Sequence, residues 1–337
     1  MRSIIPHLRP WITQSDIKAV NSALLERCTS HFKYADSLSA ELAKCAGFKN
    51  CNLYASGTLA LRTALLMLKL PKGSGVAIPA FTCRGVLTGV LAAGHRPYVA
   101  DCDDNGLMNA DEVLKAHSKG RVVAAVAVHQ FGLVNESMEK PARSMPVIED
   151  CSHVPPKAYI KNSKSIFGSL EGTKLLGAGE GGYLLFDGRG GGHKKIADPA
   201  FLGNRLSDIM AVLALCQLKR LSENVENRKR TAGQYRRLFD DSRVVDGKRA
   251  AWLRFLIRMD SLNAVAELIR KAGIRGITLR RPIMPYPLHR YLDAGKFKCP
   301  NAERLWKTLV SIPIFPDMTN EEISAVKHFL RYAEKKL

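Results

Sequence analysis

Ile17, Val20, Ala23 and Leu24 recur at helical spacing and predict a helix over 16–25, with a second over 37–45. The pattern then changes. Short apolar runs at 52–55, 76–79, 97–101, 122–128 and 147–150 alternate with helical patterns at 59–68, 85–93 and 110–116. The run from Val122 to Val128 is apolar at nearly every position, which suits a parallel strand covered on both faces. Strands alternating with helices predict βαβ units and a mostly parallel, doubly wound sheet. A further strand is expected at Tyr183-Leu184-Leu185-Phe186, followed by a glycine-rich loop at 188–192 and a long helical pattern over 207–239 with one break. Beyond about residue 240 the composition shifts. A strand at 252–259, a helix at 262–272, a strand at 308–314 and a last helix opened by Thr319-Asn320-Glu321-Glu322 describe a smaller unit. The fold expected is α/β, with a large domain over 1–240 and a smaller α+β domain over 241–337.

Composition narrows the class without naming a function. The 337 residues are 46% hydrophobic and 24% charged, as in ordinary globular proteins. No apolar run is long enough to span a bilayer, and Met1 to Pro6 does not read as a signal peptide. The eight cysteines are scattered, with no Cys-x-x-Cys pair and no metal-ligand spacing, so reduced thiols in a cytoplasmic protein are expected and no metal site is. The formal charge of +20, from 51 basic and 31 acidic residues, would attract polyanions. It is compatible with an anionic small substrate or with a merely basic surface. Zinc-finger spacing and aromatic RNA-binding signatures are missing, so nucleic acid is not the expected partner.

The chemistry gathers at the ends of the predicted strands. Lys174 lies in Gly172-Thr173-Lys174-Leu175-Leu176-Gly177-Ala178-Gly179, a glycine-rich bend before the Tyr183 strand. A lysine there is poorly placed for packing and well placed to hold an aldehyde cofactor as a Schiff base. Val147-Ile148-Glu149-Asp150 is a strand ending in an acid. Pyridoxal phosphate requires both groups, an amine for its aldehyde and a carboxylate for its pyridinium nitrogen. Ser56-Gly57-Thr58 joins a strand to a helix N-terminus, where free amides either bind an anion or are capped by the hydroxyls. Thr82 and His129 also fall at strand ends, where ligands of such sheets bind.

In order and spacing these blocks resemble the DegT/StrS group of sugar-nucleotide aminotransferases, pyridoxal-phosphate enzymes of fold type I. The likeness runs from about Arg9 to Phe329. It is carried by Ala55-Ser56-Gly57-Thr58, Ile78-Pro79-Ala80-Phe81-Thr82, Val128-His129-Gln130-Phe131-Gly132, Ile148-Glu149-Asp150, the Lys174 segment, Arg205-Leu206-Ser207 through Leu218, and Ser311-Ile312-Pro313-Ile314-Phe315-Pro316. The resemblance implies that Lys174 forms the Schiff base and moves the substrate α-proton, and that Asp150 keeps the pyridine nitrogen protonated. It places His153 beside the cofactor ring, and Gly57, Thr58 and Ser169 on the phosphate. It implies an amino acid as donor, with glutamate expected, a keto-sugar acceptor that is nucleotide-linked, and a homodimer with the active site at its interface.

Three features depart from the family pattern. Cys83 stands where an aromatic residue often stacks on the cofactor, so its sulfur packs there, or Phe81 substitutes, or binding is weaker. The segment carrying an asparagine for the neighbouring subunit's phosphate is shortened, leaving Asn204 as the candidate. The stretch between Phe186 and Phe201 is short, which implies a more open acceptor pocket. Pro285-Tyr286-Pro287-Leu288-His289 resembles the histidine loop at the substrate mouth, and Arg281 just before it is either a substrate anion ligand or a solvated basic residue. Two rival readings are a non-nucleotide acceptor such as a cyclitol, and a non-catalytic regulator or nucleic-acid binder. Relatives that dehydrate keto-sugars carry histidine in place of the lysine, and Lys174 argues against that chemistry.

Overall fold

The computed structural model describes residues 4–29, 33–188, 205–247, 249–292 and 296–334. Two helices precede the sheet: α1 (Gln14–Leu25) and α2 (Lys33–Ala46). The start of α1 is closed by Asp16, whose carboxylate accepts the Thr13 amide at 2.7 Å. The α2 start is closed from afar, because Asp208 Oδ1 accepts the Tyr34 and Ala35 amides at 2.9 and 3.1 Å.

The sheet layer then builds as β1 (Asn50–Tyr54), α3 (Gly57–Met67), β2 (Gly75–Pro79), α4 (Arg84–Ala92), β3 (Arg96–Ala100), α5 (Ala110–Ser118), β4 (Ala124–Val128), β5 (Val147–Asp150), β6 (Ser165–Ser169) and β7 (Gly182–Phe186). Their order is β1-β7-β6-β5-β4-β2-β3. β2 to β6 pair in parallel, and β7 runs antiparallel between β6 and β1. The reversal follows from chain length. Only residues 170–181 separate β6 from β7, too few for a crossover helix, so the chain must double back. Full burial on both faces explains the unbroken apolar runs. In β4, Ala124, Val126 and Val128 join one core cluster while Ala125 and Ala127 join another across the sheet.

The long helical pattern breaks at Arg220 into α6 (Asp208–Lys219) and α7 (Leu221–Arg236). The chain ends with β8 (Phe255–Arg258), α8 (Leu262–Ile274), α9 (Pro300–Thr308), β9 (Leu309–Ile312) and α10 (Asn320–Glu334). β8 and β9 form a separate antiparallel pair. The N-terminal segment crosses to this part: Ile5 bridges Ile277, and Arg9 pairs with Asp317 and Glu322. Among the described residues no helix is long and apolar enough to cross a membrane.

Two elements have no counterpart in the apolar pattern, β6 and α9. β6 reads Ser165-Ile166-Phe167-Gly168-Ser169, too polar to announce a strand. Gly168 lies opposite Tyr183 in the register, and a methyl group there would sit 2.4 Å from the phenol ring. Tyr183 is buried among strands and cannot swing away. Gly168→Ala should therefore destabilise the protein by about 1–3 kcal/mol in urea denaturation, and an unchanged midpoint would contradict this packing.

Candidate active site

The site forms where the carboxyl ends of the parallel strands meet the amino end of β7. Gly182 pairs with Ser169 on one side and Tyr54 on the other, which sets the ends of β6 and β1 side by side. The next residues after β1 enter α3. Ser56 is its N-cap and accepts the Leu59 amide at 3.3 Å. That bond settles one alternative only in part. The hydroxyl caps a single amide, and the Gly57 and Thr58 amides at the same helix start make no backbone bond within it. The three strand ends approach closely because two residues lack side chains. A Cβ on Gly57 would lie 3.2 Å from the Ser169 Cβ, and one on Gly182 would lie 2.5 Å from the Gly57 nitrogen. The helix start and the Ser169 end of β6 thus face one another across a gap that glycine alone permits.

Lys174 is carried by the excursion between β6 and β7. The Leu170 amide donates to the Gly181 carbonyl and the Gly172 amide to the Gly179 carbonyl, and the chain turns at Lys174 between them. Its Nζ lies 2.8 Å from His153 Nε2. His153 Nδ1 receives the Phe131 amide at 3.0 Å. That nitrogen is therefore the unprotonated one, and a neutral imidazole carries its hydrogen on Nε2, facing Lys174. The pair is consistent only with an uncharged lysine that accepts. Burial holds the Lys174 pKa below the ordinary lysine value, with the Arg254 charge acting in the same direction. Burial, with the Arg254 charge, likewise holds His153 well below the usual histidine range.

Asp150 closes β5 and accepts the Ser152 amide at 2.9 Å. Burial raises its pKa, opposed by the Ser152 bonds. A cationic partner would lower it again. Beneath it, His129 and Glu149 are fully buried and bonded at 2.7 Å. His129 Nδ1 accepts the Asn135 amide and Glu149 accepts the Ile160 amide, so the pair pins the loops that follow β4 and β5.

The family described as DegT/DnrJ/EryC1/StrS aminotransferases matches residues 10–331. The chain belongs to that family. Among its relatives is a UDP-N-acetyl-3-dehydro-alpha-D-glucosamine 3-aminotransferase of Acidithiobacillus ferrooxidans, 26% identical over 88% of this chain and 87% of the relative. The aminotransferase TlmJ of Streptoalloteichus hindustanus shares the fold with a TM-score of 0.88 at 20% identity, over 99% of both chains. The pyridoxal-phosphate form of the sugar aminotransferase Spr1654 of Streptococcus pneumoniae shares it at 0.84 and 19%, over 99% of both chains. The enzyme is a pyridoxal-phosphate-dependent aminotransferase of fold type I. The group fits this chain: the Lys174 amine, the buried Asp150 carboxyl and the open start of α3 all lie at the same end of the sheet.

The remaining expected residues of this aminotransferase fall unevenly. Cys83 is exposed at the N-cap of α4. Phe81 is fully buried, edge-on to Phe131 at 5.9 Å, so it turns into the core and cannot replace a stacking aromatic. His289 is tied by Nε2 to Glu303 at 2.9 Å, and Arg281 lies over the Trp306 ring at 4.6 Å. Both sit against α9, while the neighbouring Leu288 amide bonds Ala80 beside the Thr82 strand end. Asn204 lies outside the described residues. A basic cavity of about 870 Å³, lined by Arg96, Lys115, Lys119, Arg121, Lys296 and Lys298, opens near the amino ends of β2 and β3, opposite to the Lys174 end. All eight cysteines are free thiols. Sequence reasoning missed Arg254, whose charge acts on Lys174, and His7, which meets Arg254 at 2.8 Å across the chain.

Lys174 gives the site a titration signature. Between its lowered native pKa and the ordinary lysine value, the unfolded chain holds a proton that the native one lacks, so stability rises with pH there. Lys174→Met removes that dependence. In the cofactor-free enzyme its stability relative to wild type should be greatest at lower pH and should shrink as pH climbs to the lysine range. A difference in urea midpoint that stays flat with pH would contradict the buried, uncharged lysine.

Proposed function

We propose that the enzyme transfers an amino group from glutamate to a keto-sugar linked to a nucleotide. One observation carries the reading: the uncharged Lys174 amine, 2.8 Å from His153, lies in the same buried pocket as Asp150. Bound there, pyridoxal phosphate supplies an aldehyde that takes up the amino group and a ring that spreads the charge left at the α-carbon. The Gly57 and Thr58 amides at the start of α3, with the Ser169 hydroxyl, hold its phosphate. Asp150 would meet the protonated ring nitrogen, a cationic partner that would draw its pKa back down. His153 lies against the ring and orients the lysine. Lys174 Nζ takes the donor α-proton, which requires the amine to be free of its own proton.

The nucleotide-sugar acceptor is supported by the relative that acts on a UDP-linked 3-dehydro sugar. The basic surplus of the chain suits a diphosphate substrate. In this reading the enzyme works as a cytoplasmic homodimer, Asn204 reaches the neighbouring subunit's phosphate site, and 241–337 forms the smaller domain whose 285–292 loop borders the acceptor mouth. Cys83 leaves one ring face without an aromatic cover.

The test uses absorbance. The loaded enzyme should show the visible band of lysine-bound cofactor, lose it on adding glutamate, and regain it on adding a keto-sugar nucleotide. In Lys174→Ala the band should be missing and turnover should fall by several orders of magnitude. Recovery of the band with a free keto-cyclitol but not with keto-sugar nucleotides would reject the acceptor class. Full turnover by Lys174→Ala would reject the mechanism.

A further inference from the structure

We propose that the basic cavity at the open edge of the sheet is a second binding site, for the polyphosphate group of a small molecule. It lies at the opposite end of the strands from the Lys174 pocket and does not rest on the aminotransferase reading.

β3 is the last strand of the sheet, so one of its edges has no neighbouring strand. The cavity of about 870 Å³ opens beside it, and three segments bring cations there. Arg96 begins β3, Lys115 lies in the last turn of α5, and Lys119 and Arg121 lie in the turn that follows. Lys296 and Lys298 come from the segment before α9. Packing fixes these segments. A Cβ on Gly75 would fall 1.8 Å from the Arg121 carbonyl oxygen, so only glycine lets the turn lie against the start of β2. Behind the turn, His117 Nδ1 donates to the Val122 carbonyl at 2.9 Å. The segment before α9 is clamped by Asp101, whose two carboxylate oxygens accept the Asn301 and Ala302 amides, each at 2.9 Å. Phe297 meets Tyr98 of β3 edge-on, with ring centroids 5.5 Å apart. Residues 200 positions apart are thus joined where the cations converge.

The charge is one-sided. Six cations line the cavity, and Glu112 is the one carboxylate of its lining. Glu112 is engaged with the backbone, since its Oε2 accepts the Asp101 amide at 2.8 Å. Among the described residues none of the six cations has a carboxylate within ion-pair distance. The helix dipole accounts for Lys115 and Lys119 alone, at the carboxyl end of α5. Lys296 and Lys298 precede the amino end of α9, where the dipole disfavours a cation. Arg96 Nε donates to the Gly73 carbonyl at 2.6 Å, which holds the guanidinium without neutralising it.

A recess lined by one sign of charge concentrates counter-ions. Linked phosphates carry several charges in a compact group, and guanidinium forks match their oxygens. The volume is that of a small-molecule pocket, and cations gathered around a recess suit a compact ligand better than a nucleic-acid strand, which needs a long basic groove. The partly buried Tyr98 and Phe297 rings offer a wall for whatever the phosphates carry.

The experiment titrates inorganic triphosphate and magnesium-free ATP into the pyridoxal-phosphate-loaded enzyme by calorimetry, with the cofactor occupying the phosphate site at the start of α3. Wild type is compared with the triple variant Arg96→Gln, Arg121→Gln, Lys298→Gln. A control variant, Lys18→Gln, Lys44→Gln, removes exposed charges from α1 and α2 instead. All five side chains belong to exposed residues, so the core is left intact. The triple variant should raise the dissociation constant for triphosphate about tenfold or more, and the control should change it by less than about twofold. Equal affinity for triphosphate and ATP assigns recognition to the phosphates alone, and tighter ATP adds the Tyr98 and Phe297 wall; both support the site. If the triple variant fails to fold, Lys119→Glu alone carries the test with the same expected loss. Absence of triphosphate binding to wild type, unchanged affinity in the cavity variants, or an equal loss in the control overturns the site. A loss seen for a single-stranded oligonucleotide but not for triphosphate assigns the patch to nucleic acid and also overturns it.

Discussion

A lysine amine attacks an aldehyde only after it has lost its proton, and in water near neutral pH it almost never has. The bond between Lys174 and His153 depends on solving that problem. Removing water from the amine lowers its proton affinity, and Arg254 adds a like charge nearby. His153 cannot offset this by becoming anionic or cationic, because the Phe131 amide fixes its tautomer and burial keeps it neutral. The hairpin excursion that carries Lys174 and the Phe131 seam that fixes His153 together hold these two nitrogens in contact.

The same economy extends outward. Buried polar groups near Lys174 also organise the loops around it. Glu149 and His129 join the segments after β4 and β5, which carry His153 and Phe131. Asn224 bonds the Leu175 carbonyl next to Lys174, then accepts from Arg228, which holds Leu253 next to Arg254. The two halves of the chain therefore meet through hydrogen bonds that lead to the lysine from both sides.

Much of this was legible in the residues. The period of apolar positions marked the buried strands β2, β4 and β5 because both faces of the sheet are covered, and Lys174 and Asp150 stood out as polar groups at strand ends. β6 was not legible, since its strand character comes from Tyr183 packing over Gly168 rather than from its own side chains. The reversed direction of β7 was hidden in a loop length. Arg254 and His7 were invisible for a different reason. They are separated by 247 positions and meet only through the tertiary fold, so no local spacing announces them. The role of Phe81 was likewise decided by packing, as its ring turns toward Phe131.

The central claim is that Lys174, among all the lysines of this chain, is the one poised to bind the cofactor aldehyde. Borohydride reduction of the pyridoxal-phosphate-loaded enzyme, followed by proteolysis and peptide mass spectrometry, tests it directly. The account predicts one reduced cofactor adduct per chain, on the peptide that contains Lys174. An adduct on another lysine, or adducts spread over the basic surface with Lys174 unmodified, would contradict it.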